Sequence, residues 1–148
     1  MDKKIRKAAL AAQKNELTEQ AIYYKLADLI RDEHNAKVLR SIGDVEGAHA
    51  LFWRKKTGVD IKPDRFKIWR RVALARVLGL TFVLKMMERN EGTGSRLYDK
   101  LSAVLPETKR ISEDEAEHEK TLLSMLDEEG LRYVGSIVLG LNDVLVEL

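Results

Sequence analysis

Glu115-Ala116-Glu117-His118 and its counterpart Glu46-Gly47-Ala48-His49 are two copies of one motif, a glutamate followed three residues later by a histidine. Both copies lie in sequence with helical periodicity, and residues three apart share one face of a helix. In each case apolar residues recur around the motif at alternating spacings of four and three, which marks the core-facing side of a helix. Both motifs are therefore expected to point into the interior, where an uncompensated carboxylate is costly.

The core-facing positions predicted for the two motif helices contain the motif residues themselves. Around the second motif they are Ile111, Glu115, His118, Leu122 and Met125. Around the first motif they are Val38, Ile42, Val45, His49 and Phe52, with Glu46 beside them.

Two further helices each carry a glutamate on their core-facing side. In one of them Glu16 is followed seven residues later by Tyr23, and in the other Glu91 is followed seven residues later by Tyr98. Seven residues are about two helical turns, so each tyrosine lies on the face of its glutamate. The chain is thus predicted to be an internal repeat, in which each half has a Glu/Tyr helix followed by a Glu-x-x-His helix.

Composition narrows the class of protein. The 148 residues suffice for one domain with a core, and the 45% apolar and 34% charged residues suit a helical protein. Because the chain has no cysteine, disulfides, thiolate metal sites and cysteine nucleophiles are excluded. The N-terminus shows no secretory signal, which favours a cytoplasmic location. No nucleic-acid partner is expected, and the net charge of +2 by itself implies little about partners.

Charge is unevenly distributed along the chain. Nine Lys and Arg stand between Arg54 and Arg76 against two Asp, and nine Asp and Glu stand between Glu107 and Glu129 against three Lys and Arg. The two segments either create opposite fields at different ends of the molecule or are two solvated helix faces.

Four main helices are predicted, with the longest connection between the second and third. Asp32-Glu33-His34-Asn35 is expected to be a polar break, Gly58 a helix stop and Asp64 an N-cap. This order predicts an all-α four-helix bundle with one crossover, followed by an apolar C-terminal helix over 131–148. The predicted helices span residues 3–32, 36–57, 65–105 with a possible break near Gly79, and 106–129.

The core-facing polar residues form a set that suits a two-metal site. Four carboxylates and two neutral imidazoles balance the charge of two divalent ions, and these ligand types suit iron or manganese. Against this, a single glutamate on an apolar face more often lies near a helix end or a lysine, but here the pattern occurs in both halves. The predicted metal ligands are Glu16, Glu46, His49, Glu91, Glu115 and His118.

By these motifs, residues 1 to about 129 resemble the ferritin-like di-iron superfamily and, within it, the rubrerythrin group. The resemblance implies that the two motif glutamates bridge two iron ions, that each motif histidine binds one ion, and that the other two glutamates are terminal ligands. It divides the chain into a ferritin-like domain, 1–130, and the apolar segment 131–148. Unlike rubrerythrin, the chain lacks a cysteine-bound iron domain, so any electron donor would be external.

Several neighbouring residues keep two interpretations. Glu88 is either the exchangeable extra carboxylate of rubrerythrins or a surface residue. Tyr23 and Tyr98 either hydrogen-bond to ligand carboxylates or are ordinary core aromatics. His34 is expected on the surface, and the role of Glu19 is left open.

Residues 131–148 resemble the opening of the first membrane helix of vacuolar-iron-transporter-like proteins, through the run Gly140-Leu141-Asn142-Asp143. Some members of that family carry a rubrerythrin-like domain ahead of the transporter, which implies a membrane-associated protein. The alternative is a fifth helix packed on the bundle or on a second subunit. A basic segment with aromatic residues, 65–76, is either a membrane-surface helix or the crossover into the third helix.

Three functions follow as hypotheses. The first is a soluble domain of a membrane iron transporter that captures Fe(II) and oxidises it with oxygen or peroxide. The second is a peroxide-reducing enzyme with an external donor, and the third is a metal-sensing or dimerising module without turnover. A homodimer is expected, with the apolar tail or the third helix in the interface.

Overall fold

A computed structural model of the protein describes residues 3–103 and 105–125, with side chains for all of these except 90–97, 99 and 100. Regular structure in the described residues is entirely helical, which confirms the all-α class. The chain divides into two compact units, residues 1–74 and 75–148. The predicted domain boundary at 130 and the apolar segment 131–148 lie outside the described residues. The helices are α1 (Lys3–Ala27), α2 (Glu33–Thr57), α3 (Arg65–Leu78), α4 (Leu80–Ser102), a 3₁₀ helix (Pro106–Thr108) and α5 (Lys109–Met125).

In the first unit, α1 and α2 form an antiparallel hairpin. Near the turn, the Tyr24 hydroxyl donates to Asp44 Oδ1 at 2.5 Å. At the far end, Thr57 Oγ1 donates to Gln13 Oε1 at 2.6 Å. The core between the helices is formed by fully buried apolar side chains, the largest of which are Ile22, Tyr23, Leu26, Leu39 and Trp53.

The turn between α1 and α2 lies earlier in the chain than the sequence suggested, because α1 stops short of the predicted helix end at residue 32. α1 ends at Ala27, and α2 begins at Glu33 because the Asp32 side chain caps it, accepting a hydrogen bond from the Asn35 amide at 3.1 Å. The prediction of a polar break through residue 35 was therefore wrong, since His34 and Asn35 lie in the first turn of α2. His34 is exposed, as expected.

Two glycines of α2 allow α1 to approach closely. A Cβ atom on Gly43 would lie 2.8 Å from the Tyr24 ring, and one on Gly47 would lie 2.2 Å from the amide end of the Gln20 side chain. The two glycines are one helical turn apart and flank Glu46. The first Glu-x-x-His motif thus includes, at Gly47, one of the residues that lets its helix meet α1.

The segment between α2 and α3 is bonded to α1. Gly58 ends α2 with a left-handed backbone (φ 68°), and its amide donates to the Arg54 carbonyl. The Asp64 amide donates to Thr18 Oγ1 at 2.9 Å, and the Asp64 carboxylate accepts from the Lys67 amide at 3.0 Å. Both the helix stop at Gly58 and the N-cap at Asp64 were predicted from the sequence.

The second unit contains α4, the 3₁₀ helix and α5. The predicted break near Gly79 is present, because this residue has φ 90° and separates α3 from α4. Pro106 opens the 3₁₀ helix, and the buried Thr108 hydroxyl donates to the Leu105 carbonyl at 2.8 Å. The buried apolar side chains of α4 and α5 are Val83, Leu84, Met87, Tyr98, Leu101, Ile111 and Leu122.

Candidate metal centre

Three of the six predicted ligands meet inside the first unit. Glu16 of α1 is 1% exposed, and Glu46 and His49 of α2 are 0% and 4% exposed. Each offers a ligand atom, two carboxylate oxygens and one imidazole nitrogen, and these atoms lie within 4.8 Å of one another. We call Glu16, Glu46 and His49 the first-unit triad.

The distances within the first-unit triad suit a shared ion better than direct hydrogen bonds. His49 Nδ1 lies 3.7 Å from Glu16 Oε2 and 3.5 Å from Glu46 Oε2. Both separations exceed the usual length of a hydrogen bond. Ligand atoms held at about 2.1 Å from one ion lie about 3 to 4.2 Å apart, depending on the coordination geometry. The triad therefore has the chemistry and the spacing to hold a metal ion.

The buried face of α2, which carries Glu46 and His49, is displaced by one residue from the predicted core-facing side. Leu39, Glu46 and Trp53 are fully buried at intervals of seven, whereas Val38 and Val45 are only half-buried. Glu46 is therefore at the centre of the buried face and not beside it.

A buried polar network one turn from Glu16 fixes α1 against the end of α2. Gln13 is 1% exposed; its amide nitrogen donates to the Val59 carbonyl at 2.8 Å, and its amide oxygen accepts from Thr57. These two bonds set the axial position of α1 relative to α2, and with it the position of Glu16 relative to Glu46. Sequence reasoning missed this network, although a glutamine on the apolar side of α1 was a signal of a buried polar contact.

Glu19, whose role was open, is held by the start of α3. Its Oε1 accepts from Asn15 Nδ2 at 3.0 Å and lies 3.9 Å from Lys67 Nζ, which also donates to Asn15 Oδ1 at 2.7 Å. Arg71 is 5% exposed, and burial and the neighbouring Arg70 lower its pKa, while Glu19 and Tyr23 raise it. Glu19 thus interacts with the α3 cations Lys67 and Arg71, and it is not a member of the triad.

In the second unit, the second motif is also buried. Glu115 is 3% exposed and His118 is 6% exposed, and both lie between Ile111 and Leu122 on the inward side of α5. Of the core-facing positions predicted for this helix, Ile111, Glu115, His118 and Leu122 are buried and Met125 is only half-buried. Tyr98 of α4 is 4% exposed, and its carbonyl accepts from Thr108 Oγ1 at 3.5 Å.

The remaining predicted residues have mixed outcomes. Glu88 is half-buried on α4, which leaves both of its interpretations open. The side chain of Glu91 lies outside the described residues. Tyr23 and Tyr98 are both buried. A hydrogen bond from either hydroxyl to a ligand carboxylate stays a prediction. Val77, which lies just before the break at Gly79, is 79% exposed.

The chain matches no protein family, no curated protein and no solved structure. Among the described helices, none has the length and apolar content that crossing a bilayer requires. The resemblance to ferritin-like proteins thus rests on the motifs and their spacing.

Proposed function

We propose that this protein is a ferritin-like metal-binding domain that captures Fe(II) and oxidises it. The observation that carries the proposal is the first-unit triad, in which two carboxylates and an imidazole are buried with their ligand atoms within 4.8 Å. Two carboxylates and a neutral imidazole carry a charge of −2, which one divalent ion cancels. Mixed oxygen and nitrogen ligands suit iron or manganese.

The sequence repeat extends this proposal to two ions. Glu115 and His118 repeat Glu46 and His49, and Glu91 repeats Glu16 as the glutamate of the preceding helix. We propose that the α1–α2 and α4–α5 pairs form a ferritin-like bundle with α3 in the crossover. In that arrangement Glu46 and Glu115 would be shared by two ions, and each half would add one histidine and one terminal glutamate.

The chemistry proposed for this site is a two-electron reaction. Two Fe(II) ions would lose one electron each. Hydrogen peroxide would take both electrons and two protons to become two waters, or oxygen would take them to become hydrogen peroxide. The protein's part is to hold four carboxylates where water is excluded, so that the increase in charge at the ions is stabilised. Because the chain has no cysteine, re-reduction requires an external donor.

Metal binding is tested by titrating the protein with Mn(II) and with Fe(II) under anaerobic conditions, followed by calorimetry and elemental analysis. We expect two ions per chain and a melting temperature that rises with metal concentration. His49→Ala should lower the affinity and the stoichiometry. His34→Ala is the matched control, because His34 is an exposed histidine on the same helix. Failure of the unaltered protein to bind either ion would refute the proposal.

The reaction is tested separately from binding. Mixing the Fe(II)-loaded protein with oxygen or with peroxide, and following Fe(III) formation, tells which oxidant it uses. Sustained turnover with an added reductant would favour a peroxide-reducing enzyme, and binding without oxidation would favour a metal-sensing module. Each of these results would replace the proposed function while leaving the metal site in place.

The transporter context is part of the proposal but rests on sequence alone. The segment 131–148 that resembles a transporter helix lies outside the described residues, as does the tail expected in a homodimer interface. Reconstituting the native gene product into vesicles and measuring iron flux would test the first expectation. Sedimentation of the protein with and without residues 130–148 would test the second.

A further inference from the structure

We propose that α3 binds the surface of an anionic lipid bilayer through its outward face. This face is formed by Phe66, Trp69 and Ala73, and Arg65 and Arg70 lie on either side of them around the helix. We call these five residues the α3 outer face. The inference concerns a surface of the first unit that contains none of the metal ligands, and it does not depend on the proposed metal chemistry.

The outer face combines two large exposed aromatic side chains. Phe66 is 67% exposed and Trp69 is 64% exposed, and their ring centroids are 5.9 Å apart. Residues 66, 69 and 73 recur at spacings of three and four, so they form one stripe along the helix. Contiguous exposed apolar groups of this kind are typical of binding surfaces.

The opposite side of α3 is occupied, which fixes the direction of the outer face. Ile68 is 7% exposed and Arg71 is 5% exposed. Lys67 Nζ donates to Asn15 Oδ1 of α1 at 2.7 Å, and the cap at Asp64 is tied to Thr18 of the same helix. Because these contacts attach the inner side of α3 to α1, the aromatic side chains cannot turn inward without breaking them.

Charge identifies the partner as an anionic surface. Arg65 and Arg70 are exposed on either side of the aromatic stripe, and Lys62 is exposed just before the helix. Between residues 61 and 78 the sequence has six Lys and Arg and a single acidic residue, Asp64. Helices with aromatic side chains flanked by basic residues lie in the headgroup region of bilayers, where arginine meets lipid phosphate and tryptophan fits the interface.

Vesicle binding tests the proposal with the complete chain. The probes are vesicles of phosphatidylcholine alone and of equimolar phosphatidylcholine and phosphatidylserine. We expect stronger binding to the anionic vesicles, weakened by high salt. Removing two arginines with Arg65→Gln and Arg70→Gln should weaken binding about 25-fold. Arg31→Gln, which removes an exposed arginine outside α3, should change binding by much less.

Tryptophan fluorescence tests the contact itself. Trp53 is fully buried, so the variant Trp53→Phe leaves Trp69 as the reporter. Brominated phosphatidylcholine mixed into the anionic vesicles should quench its emission. If Trp53→Phe unfolds the protein, Ala73→Cys offers a second reporter, because the chain has no other cysteine for a polarity-sensitive label.

The aromatic variants complete the test. Phe66→Ala with Trp69→Ala should weaken vesicle binding by roughly tenfold or more, because less apolar area is buried. Leu51→Ala is the control, since Leu51 is an exposed apolar residue of α2 at 55% exposure. Two results would overturn the proposal directly: no preference for anionic vesicles, or binding without a response of the α3 reporter. A third would be an aromatic variant that alters only self-association, because it would identify a second copy of the chain as the partner.

Discussion

The α1–α2 pair and the α4–α5 pair carry the same glutamate–histidine motif on helices that are held in different ways. In the first pair, a buried glutamine bonds to the far end of the partner helix, and Gly43 brings the helices close together. In the second pair, a proline-initiated 3₁₀ helix with the buried Thr108 joins the helices. Yet the motif residues are buried in both. The comparison teaches that burial of the motif depends on the helix face and not on the type of connection.

The largest expected effect compares the motif glutamates of the two pairs. Glu46→Ala and Glu115→Ala should each lower the affinity for Mn(II) by more than about 100-fold, since even residues that only support metal ligands change affinity by 10–100-fold. Calorimetric titration of both variants measures this. Glu33→Ala and Glu113→Ala are the controls, because these carboxylates are exposed on the same two helices. A loss confined to Glu46→Ala would mean that the first unit binds its ion without the second motif.

The second prediction compares the polar contacts that hold each pair. Gln13→Ala should lower the free energy of unfolding by about 2 to 3 kcal/mol, because it leaves buried partners at Thr57 and Val59 without their bonds. Thr108→Ala, which removes the bond to the Leu105 carbonyl and the longer contact with the Tyr98 carbonyl, should cost about 1 kcal/mol. Urea unfolding followed by circular dichroism measures both. A larger loss for Thr108→Ala than for Gln13→Ala would contradict this. It would show that the 3₁₀ connection stabilises the α4–α5 pair more than the Gln13 network stabilises the α1–α2 pair.

The third prediction concerns the close approach that distinguishes the first pair. Gly43→Ala should lower the free energy of unfolding by about 1 kcal/mol, because overlap with the rigid Tyr24 ring outweighs the higher helix propensity of alanine. Gly47→Ala should be neutral or stabilise by up to about 1 kcal/mol, since the end of the flexible Gln20 side chain can move away. Thermal and urea unfolding of the two variants, side by side, give the sign of each change. Equal effects would mean that the helices can separate slightly to admit either methyl group.

The smallest expected effect is the pH dependence of the cap on α3, a feature of the first unit. The hydrogen bond from the Lys67 amide lowers the pKa of Asp64 below its ordinary value of 3.8. The charged cap therefore contributes stability that is fully present above pH 3.8 and is lost as the pH falls through the lower pKa of the folded protein. Asp64→Ala should be less stable than the unaltered protein at neutral pH, and this difference should shrink in acid.

Asp64→Asn separates the charge of the cap from its hydrogen bond. Asparagine also caps helices but does not titrate, so this variant should retain most of the stability and lose the acid-dependent part. Unfolding curves collected from neutral to strongly acidic pH would show whether this variant loses the acid-dependent part of the stability. An unchanged pH profile in both variants would show that the cap bond does not depend on ionisation.

Helix positions near a cap or a glycine could be predicted because the signal is local. Gly58, Asp64 and Gly79 each act within one turn, and each has the predicted role. The start of α2 was misplaced because Asp32 and the three polar residues after it all resemble a break, and only the bond from Asn35 shows that Asp32 is the cap. Such ambiguity arises wherever several possible capping residues are adjacent.

Contacts between residues distant in sequence could not be predicted. In α2, two sets of positions have helical spacing, one through Val38 and Val45 and one through Leu39 and Glu46, and periodicity does not choose between them. The structure selects the second, with the large Trp53 on the same buried line. The burial of both Glu-x-x-His motifs and of Glu16 could be predicted, because a charged residue is conspicuous in an apolar pattern. Their role as metal ligands stays a prediction. The finer claims, a bundle with two iron ions and a dimer, stay predictions.

The short turn at residues 28–32 has a consequence for how the chain folds. Because α1 and α2 are neighbours in sequence, their hairpin closes with little loss of loop entropy, and contacts of this local kind form fast. Both helices also precede the second unit during synthesis. Glu16 and Glu46 are therefore expected to come together early, in a hairpin that already has the charge to attract a cation. A divalent ion that binds this hairpin during translation would then act on the order of folding as well as on the finished protein. Pulse-labelled hydrogen exchange with and without Mn(II) would reveal an early-protected α1–α2 hairpin.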